Sequence, residues 1–217
     1  MSKLIFLLFL YFNQPYSTYT VESGKDIQFF WKDESGKRYG NFESLKSKNI
    51  IYACNGGAYT EDFKPCGLYI ENGKELARIN KRSGFGNFLT TPNGVFFIDS
   101  SGKAGICETS QFKKEHIKYA NQSGPMLVID GKVSPSVKNK KSSRNTRNGV
   151  GIRPNGSVVF AISKIDVSLS EFAAYLKNIG CINALYFDGA ISQAYPMQMY
   201  ERQDFGVIIS VTQNKQK

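Results

Sequence analysis

Histidine is nearly absent from this chain: 217 residues hold one, His116. A Ser-His-Asp hydrolase would have to use it, yet it sits among Lys113, Lys114, Glu115 and Lys118 in what reads as an exposed short helix. The four cysteines, Cys54, Cys66, Cys107 and Cys181, lack metal-ligand spacing, and with a single histidine they do not make a zinc site. Neither Gly84-x-Gly86 nor any other glycine cluster has Rossmann or P-loop spacing. Long apolar runs are missing too: Leu4 to Phe12 is nine residues, whereas a membrane-crossing helix takes about 20. Acids are in deficit, 18 against 28 Lys and Arg, leaving a formal charge of +10.

That balance favours anionic partners: nucleic acid, anionic lipid or phosphorylated sugar. No recognition helix or basic-aromatic interleaving supports nucleic acid. The densest basic run, Lys138 to Arg147, reads as a solvated loop, or as a rim that gathers anions. At the amino terminus, Lys3 followed by Leu4 to Phe12 has the charge-then-apolar pattern of a signal peptide, and a buried first strand is the competing reading. The expected division is a leader over 1–17, its cleavage point unclear because Asn13 to Thr20 lacks a clean small-residue site, and one domain over 18–217. Export makes the protein secreted or periplasmic. There four cysteines could close two disulfides, with Cys54 and Cys66 the best candidate pair. Cys54 and Cys181 equally suit a core, where a thiol packs as a small hydrophobe.

Hydrophobic content of 41% and aromatic content of 13% fit a folded globule. Turn signals recur between short apolar runs. Strands are expected at Ile27 to Trp31, Ile50 to Cys54, Leu68 to Glu71, Leu76 to Ile79, Phe88 to Thr91, Val95 to Ile98, Ala104 to Glu108, Pro125 to Ile129, Gly149 to Ile152, Ser157 to Ile162 and Phe205 to Val211. Asn72-Gly73 and Asp130-Gly131 suit tight hairpin turns. A short helix is expected between Gln111 and Ala120. The one strong helix opens on Ser168 and Glu171 at capping-box spacing, shows Leu169, Phe172, Ala173 and Leu176 on one face, and closes at Gly180. The fold class is α+β: a single domain of mostly antiparallel mixed sheet with few helices.

After that helix, Ala184 to Phe187 reads as a strand covered on both faces, delivering Asp188 onto Gly189. Alone, Asp-Gly is an ordinary turn. Three other glycine-edged corners accompany it: Asn55-Gly56-Gly57, Gln122-Ser123-Gly124-Pro125 and Arg147-Asn148-Gly149-Val150-Gly151. Together they supply a carboxylate, a guanidinium, amides and a hydroxyl, the inventory of a sugar or phosphate site, with glycine N–H groups able to point at an anion.

The order and content of these segments resemble the phosphodiester glycosidase family, whose mammalian relative removes N-acetylglucosamine from a phosphodiester with mannose. The resemblance runs from Trp31 to the end. It rests on Asn55-Gly56-Gly57 with Tyr59, Gly67-Leu68, Ser123-Gly124-Pro125 before Asp130-Gly131, Arg147-x-x-x-Gly151, Glu171-Phe172-Ala173 and Ala184 to Gly189, in the family's order. Phe30-Trp31 and Asn87-Phe88…Pro92-Asn93-Gly94-Val95-Phe96 resemble its bacterial secreted branch. The family often has Asp-Gly-Gly-x-Ser where this chain has Asp188-Gly189-Ala190-Ile191-Ser192.

The resemblance implies hydrolysis of a sugar-1-phosphodiester at the anomeric carbon. Such cleavage builds positive charge on the sugar, which a carboxylate stabilises as nucleophile or as base for water. The phosphate leaves as an anion and needs charge stabilisation more than a proton. Asp188 is therefore the expected nucleophile or general base and Arg147 the phosphate clamp, with Arg144 as the fallback. Asn55, Gly56, Gly57, Ser123, Gly124 and Gly189 are the expected substrate contacts. Glu61, Asp62 and Glu71 are candidates for a second carboxylate. No cofactor or metal is called for, although a calcium ion near Asp188 stays open without a calcium-loop motif. The expected partner is a phosphorylated glycan or sugar phosphate; the alternative is a non-catalytic binder of anionic glycans.

Overall fold

The computed structural model describes residues 15–141, 143–189, 191–196 and 204–213. In chain order its strands are β1 (Tyr16–Val21), β2 (Ile27–Phe30), β3 (Ile50–Asn55), β4 (Tyr69–Glu71), β5 (Lys74–Ala77), β6 (Gly94–Asp99), β7 (Ala104–Glu108), β8 (Ile117–Ser123), β9 (Met126–Ile129), β10 (Lys132–Val133), β11 (Arg144–Asn145), β12 (Asn148–Ile152), β13 (Val158–Ser163), β14 (Val167–Ser168), β15 (Asn183–Asp188), β16 (Ala194–Tyr195) and β17 (Ile208–Thr212). The α-helices among the described residues are α1 (Pro135–Lys138) and α2 (Leu169–Asn178).

Three sheets carry the fold, in the orders β1-β13-β12-β15-β9-β10, β16-β3-β17-β2 and β5-β4-β8-β6-β7. The pairings within them are antiparallel, so this is a single α+β domain of mostly antiparallel sheet. All three turn apolar faces into one core: Phe29 and Tyr52 from the second sheet, Tyr69 and Phe96 from the third, Phe160, Leu185 and Phe187 from the first. The opposite face of the first sheet is covered by α2, where Phe172 and Leu176 pack with Val128, Ala184 and Tyr186. Successive residues of β15 thus serve different cores, which is why its run is apolar without alternation. Each such side chain, fully buried, stabilises the fold by about 1.5–3 kcal/mol.

Local chemistry explains the ends. Asn72 and Gly73 join β4 to β5, and Asp130 and Gly131 join β9 to β10, all four with positive φ as the tight primed turns require. Helix α2 opens on a full capping box: Glu171 N–H donates to Ser168 Oγ at 3.2 Å, and Ser168 N–H donates to the Glu171 carboxylate at 2.7 Å.

Two expected elements are corrected. Phe88 to Thr91 is not a strand but part of a looped stretch of local turns, with Gly84 N–H donating to Leu89 O and Thr90 N–H to Gly86 O, both at 3.1 Å. Gln111 to Ala120 is not a helix: Ile117 begins β8, the strand between β4 and β6, and His116 ahead of it has φ of 59°. Paired neighbours on both sides outweigh the weak helical pattern there. At the amino end β1 pairs with β13 from Tyr16 to Val21, so a leader ending at 17 would cut into it. The expected leader's charge and apolar core, Lys3 and Leu4 to Phe12, lie outside the described residues, as does Ala190. No helix among the described residues is long and apolar enough to cross a membrane.

Candidate active site

The site begins with an irregularity between β12 and β15. Gly149 faces Tyr186, but the next partner of Asn148 is Asp188, so β15 carries one extra residue, Phe187, at its end. A bulge of this kind re-aims the following side chain. The displaced Phe187 carbonyl accepts from Ser123 Oγ at 3.3 Å. The Asp188 backbone is pinned on both sides: its N–H donates to Asn148 Oδ1 at 2.9 Å, and its carbonyl accepts from Ser192 Oγ at 2.8 Å.

The Asp188 carboxylate is held at each oxygen. Gly189 N–H donates to Oδ1 at 2.5 Å and Asn55 Nδ2 to Oδ2 at 3.3 Å. Asn55 is fixed in turn, its Oδ1 accepting from Asn148 Nδ2 and from Gln193 N–H, both at 2.9 Å. Asn148 Nδ2 also donates to Asn55 O at 2.8 Å. Burial pushes the Asp188 carboxyl up to about 6, and the Gly189 N–H and the Arg147 cation restrain that rise. A carboxylic acid poised near neutrality inside a cleft is what acid–base or nucleophilic work needs.

The cleft is about 670 Å³ in volume. Arg147, Tyr186, Asp188 and Gly189 form one wall; Asn80 and Phe85 to Leu89 form the other, with Cys66 and Gly124 also reaching it. Arg147 and Asp188, expected to meet, are therefore brought together. The Arg147 fork, however, is occupied: Nε donates to Val167 O at 2.9 Å, Nη1 to Tyr186 Oη at 2.7 Å and Nη2 to Ser143 O at 2.7 Å. A bidentate grip on phosphate would break these bonds, which leaves positive potential and at most the second Nη1 N–H, beside Gly189, for an anion. The fallback Arg144 does not reach the cleft: it pairs with Glu171 of the α2 cap at 2.8 Å.

The other expected contacts fall into two groups. Gly124 and Gly189 line the cleft. Asn55, Gly56, Gly57 and Ser123 stand behind it as supports. Gly56 N–H donates to Val207 O at 2.9 Å and Gly57 N–H to Asn121 Oδ1 at 2.7 Å, which removes them as anion donors. A side chain at 57 would sit 2.7 Å from Gln122 O and 2.8 Å from Ser123 Cβ, so glycine is there for close packing of two chain segments. The candidate second carboxylates lie elsewhere. Glu61 is exposed, Asp62 pairs with Lys64, and Glu71 accepts from Tyr69 Oη at 2.6 Å and Trp31 N–H at 3.2 Å. Among the described residues lining the cleft, Asp188 is the one carboxylate. His116 is exposed, seven residues before Ser123 on the far end of β8, about 20 Å away at ~3.3 Å per residue. Among the described residues no three acids, histidines or cysteines gather as a metal cage, and all four cysteines, Cys54 and Cys66 included, are free thiols.

Sequence reasoning passed over Asn148, Tyr186, Asn87 and Phe85. Asn148 had a visible signal, an amide inside the glycine-edged corner Arg147 to Gly151. Tyr186 looked like core, and Asn87 and Phe85 come from the stretch misread around Phe88.

Comparisons with known proteins bear on the family and the fold. The family model described as phosphodiester glycosidase matches residues 48–210. An uncharacterized Escherichia coli protein, YigE, is 36% identical over 207 residues, covering 89% of this chain and 80% of its own. Among solved structures, the catalytic domain of zebrafish N-acetylglucosamine-1-phosphodiester alpha-N-acetylglucosaminidase, auto-inhibited by its pro-peptide, superposes with a TM-score of 0.66 at 12% identity, over 93% of this chain and 85% of that one. A putative exported protein of Burkholderia pseudomallei gives 0.60 at 10% identity, over 91% and 74%. At such identities these two speak for the fold alone.

Proposed function

The chain belongs to the phosphodiester glycosidase family, and from that premise we propose that its cleft hydrolyses a sugar-1-phosphodiester at the anomeric carbon, an N-acetylglucosamine-1-phosphodiester being the reference substrate. The observation that carries this reading is the mounting of Asp188: a carboxylate on a bulged strand end, oriented by Asn55 and Gly189, facing a cleft of substrate size. Ionised above about 6, it attacks the anomeric carbon or takes a proton from water as positive charge grows on the sugar. An ordinary glycoside would also need a proton donor, supplied in most glycosidases by a second carboxyl group. A phosphate leaves as a stable anion without one, which suits a cleft with one carboxylate among its described lining and a buried Arg147 in its wall.

Incubation with an N-acetylglucosamine-1-phosphodiester should release free reducing sugar. Asp188→Asn should abolish release, and the wild-type rate should climb with pH through about 6. Release that survives in Asp188→Asn would overturn the role of Asp188; tight binding without release would make the protein a binder of anionic glycans. We place the protein outside the cytoplasm, secreted or periplasmic, on Lys3 and the apolar Leu4 to Phe12. Fractionation of cells expressing the full chain tests that placement, and recovery in the cytosol would refute it.

A further inference from the structure

Tyr186 lies in the cleft wall beside Gly189, and only 2% of it is exposed. Its phenol oxygen accepts from Arg147 Nη1 at 2.7 Å, and the Asn87 side chain is a neighbour across the cleft. A phenol has two lone pairs and one proton; the Arg147 N–H takes up a lone pair, and the proton is left to donate elsewhere. It forms no hydrogen bond to a described residue. A buried donor without an acceptor is costly, and in a native fold it asks for an unseen partner. Behind it the Arg147 guanidinium, 1% exposed, forms no ion pair among the described residues. A buried cation with no ion pair in contact is costly as well; the Asp188 carboxylate shares its field, and a further anion in contact would offset more of that cost. The two deficits are adjacent and face the same space. Gly189 keeps that space open, since a side chain there would run into the Tyr186 hydroxyl and come within 3.2 Å of Arg147 Nη1.

We propose that this corner is an anion subsite in which the Tyr186 hydroxyl, polarised by Arg147, donates to a non-bridging oxygen of a phosphate ester. The proposal rests on the reading of the cleft as a sugar-1-phosphodiester site and names the group that meets the phosphate. The proton stays on the phenol, because burial chiefly holds Tyr186 up at about 12. Asp188 then serves the sugar while Tyr186 serves the leaving group, and both come from one strand end.

The test is titration of the full chain with inorganic phosphate and, separately, with N-acetylglucosamine, followed by calorimetry at neutral pH. Tyr186→Phe should weaken phosphate binding about 10- to 100-fold, the range for a charge-assisted hydrogen bond, and leave binding of the uncharged sugar unchanged. On a phosphodiester substrate Tyr186→Phe should lower kcat while the acidic limb set by Asp188 stays in place. Should Tyr186→Phe not fold, wild-type protein carrying carbon-13 tyrosine still decides: phosphate should shift one buried tyrosine signal, and no shift overturns the subsite. Equal phosphate affinity in folded wild type and Tyr186→Phe also overturns it. Phosphate binding that depends on Tyr186 without turnover of any phosphodiester would keep the subsite and sink the hydrolase reading. Turnover with no dependence on Tyr186 would do the reverse.

Discussion

The two walls of the cleft are made in different ways. Behind Asp188, the Asn55, Asn148 and Ser192 side chains and the Gln193 backbone share hydrogen bonds across β3, β12 and the turn after β15, and none of the four residues is more than 7% exposed. Across the cleft, residues 80–91 form local turns with Phe85 wholly exposed at the tip. In the first wall every amide has a buried partner, so moving one member leaves another unsatisfied and the geometry is held to a single arrangement. In the second, solvent can replace most bonds, and a side chain can change without cost to the core. On the proposed function, reaction geometry is built into the rigid wall, and substrate fit is left to the adaptable one.

The sharpest way to break this contrast is Asn148→Ala. The change removes both donations from Nδ2 to Asn55 and the acceptor for Asp188 N–H. It should cost about 2–4 kcal/mol of stability, because several buried partners lose a bond at once. Turnover should fall about 100-fold or more as Asp188 loses its aim. Urea denaturation and single-substrate kinetics measure both. A variant as stable and active as wild type would show that the buried amides are filler.

Asp188→Asn examines the same wall through pH. The folded carboxyl sits at about 6 against an ordinary 3.8, raised by burial. Between those values the folded state holds more proton than the unfolded, so wild-type stability falls as pH rises through that window and the cost is complete above about 6. An amide has no such cost. The stability of Asp188→Asn relative to wild type should therefore improve by ~2 kcal/mol from pH 4 to pH 8, about 4–8 °C in Tm for a domain of this size. A difference that does not move with pH would mean the carboxylate is not desolvated.

Much of the rigid wall was legible in advance. Ser168, Glu171 and Gly180 marked α2, and the apolar run before Asp188 marked a strand buried on both faces, because caps and glycines act locally. The bulge at Phe187 was not legible. It exists because β12 and β15 are held in register by Val150 facing Leu185 while Asn148 captures the Asp188 backbone, a long-range condition that short runs of sequence do not state. For the same reason Asn55 and Ser123 were assigned to substrate: their polar atoms were visible, but not the partners that occupy them. Phe88 to Thr91 failed differently. Its residues favour strand, yet no strand among the described residues pairs with them, and the turns anchored by Gly86 and Asn93 prevail.

On the adaptable wall, Phe85→Ala should leave Tm within about 1 °C, since an exposed side chain adds little to the core. If the aromatic face meets the sugar, KM should rise about 3- to 10-fold with kcat held, the pattern of lost uniform binding. A loss of stability comparable with Asn148→Ala would erase the contrast between the walls.

The smallest effect is expected where the adaptable wall touches the basic stretch. Lys140 Nζ donates to Thr90 Oγ1 at 3.1 Å, an exposed bond between two loops. Holding a lysine in one rotamer costs side-chain entropy, and water competes for both partners, so such a bond is worth well under ~1 kcal/mol. Lys140→Ala should change Tm by less than about 1 °C and KM by less than about 3-fold. If KM instead rose tenfold or more, residues 80–91 would depend on that bond for their position. The second wall would then be as determined as the first, and substrate fit would have to be sought in the basic stretch that holds it.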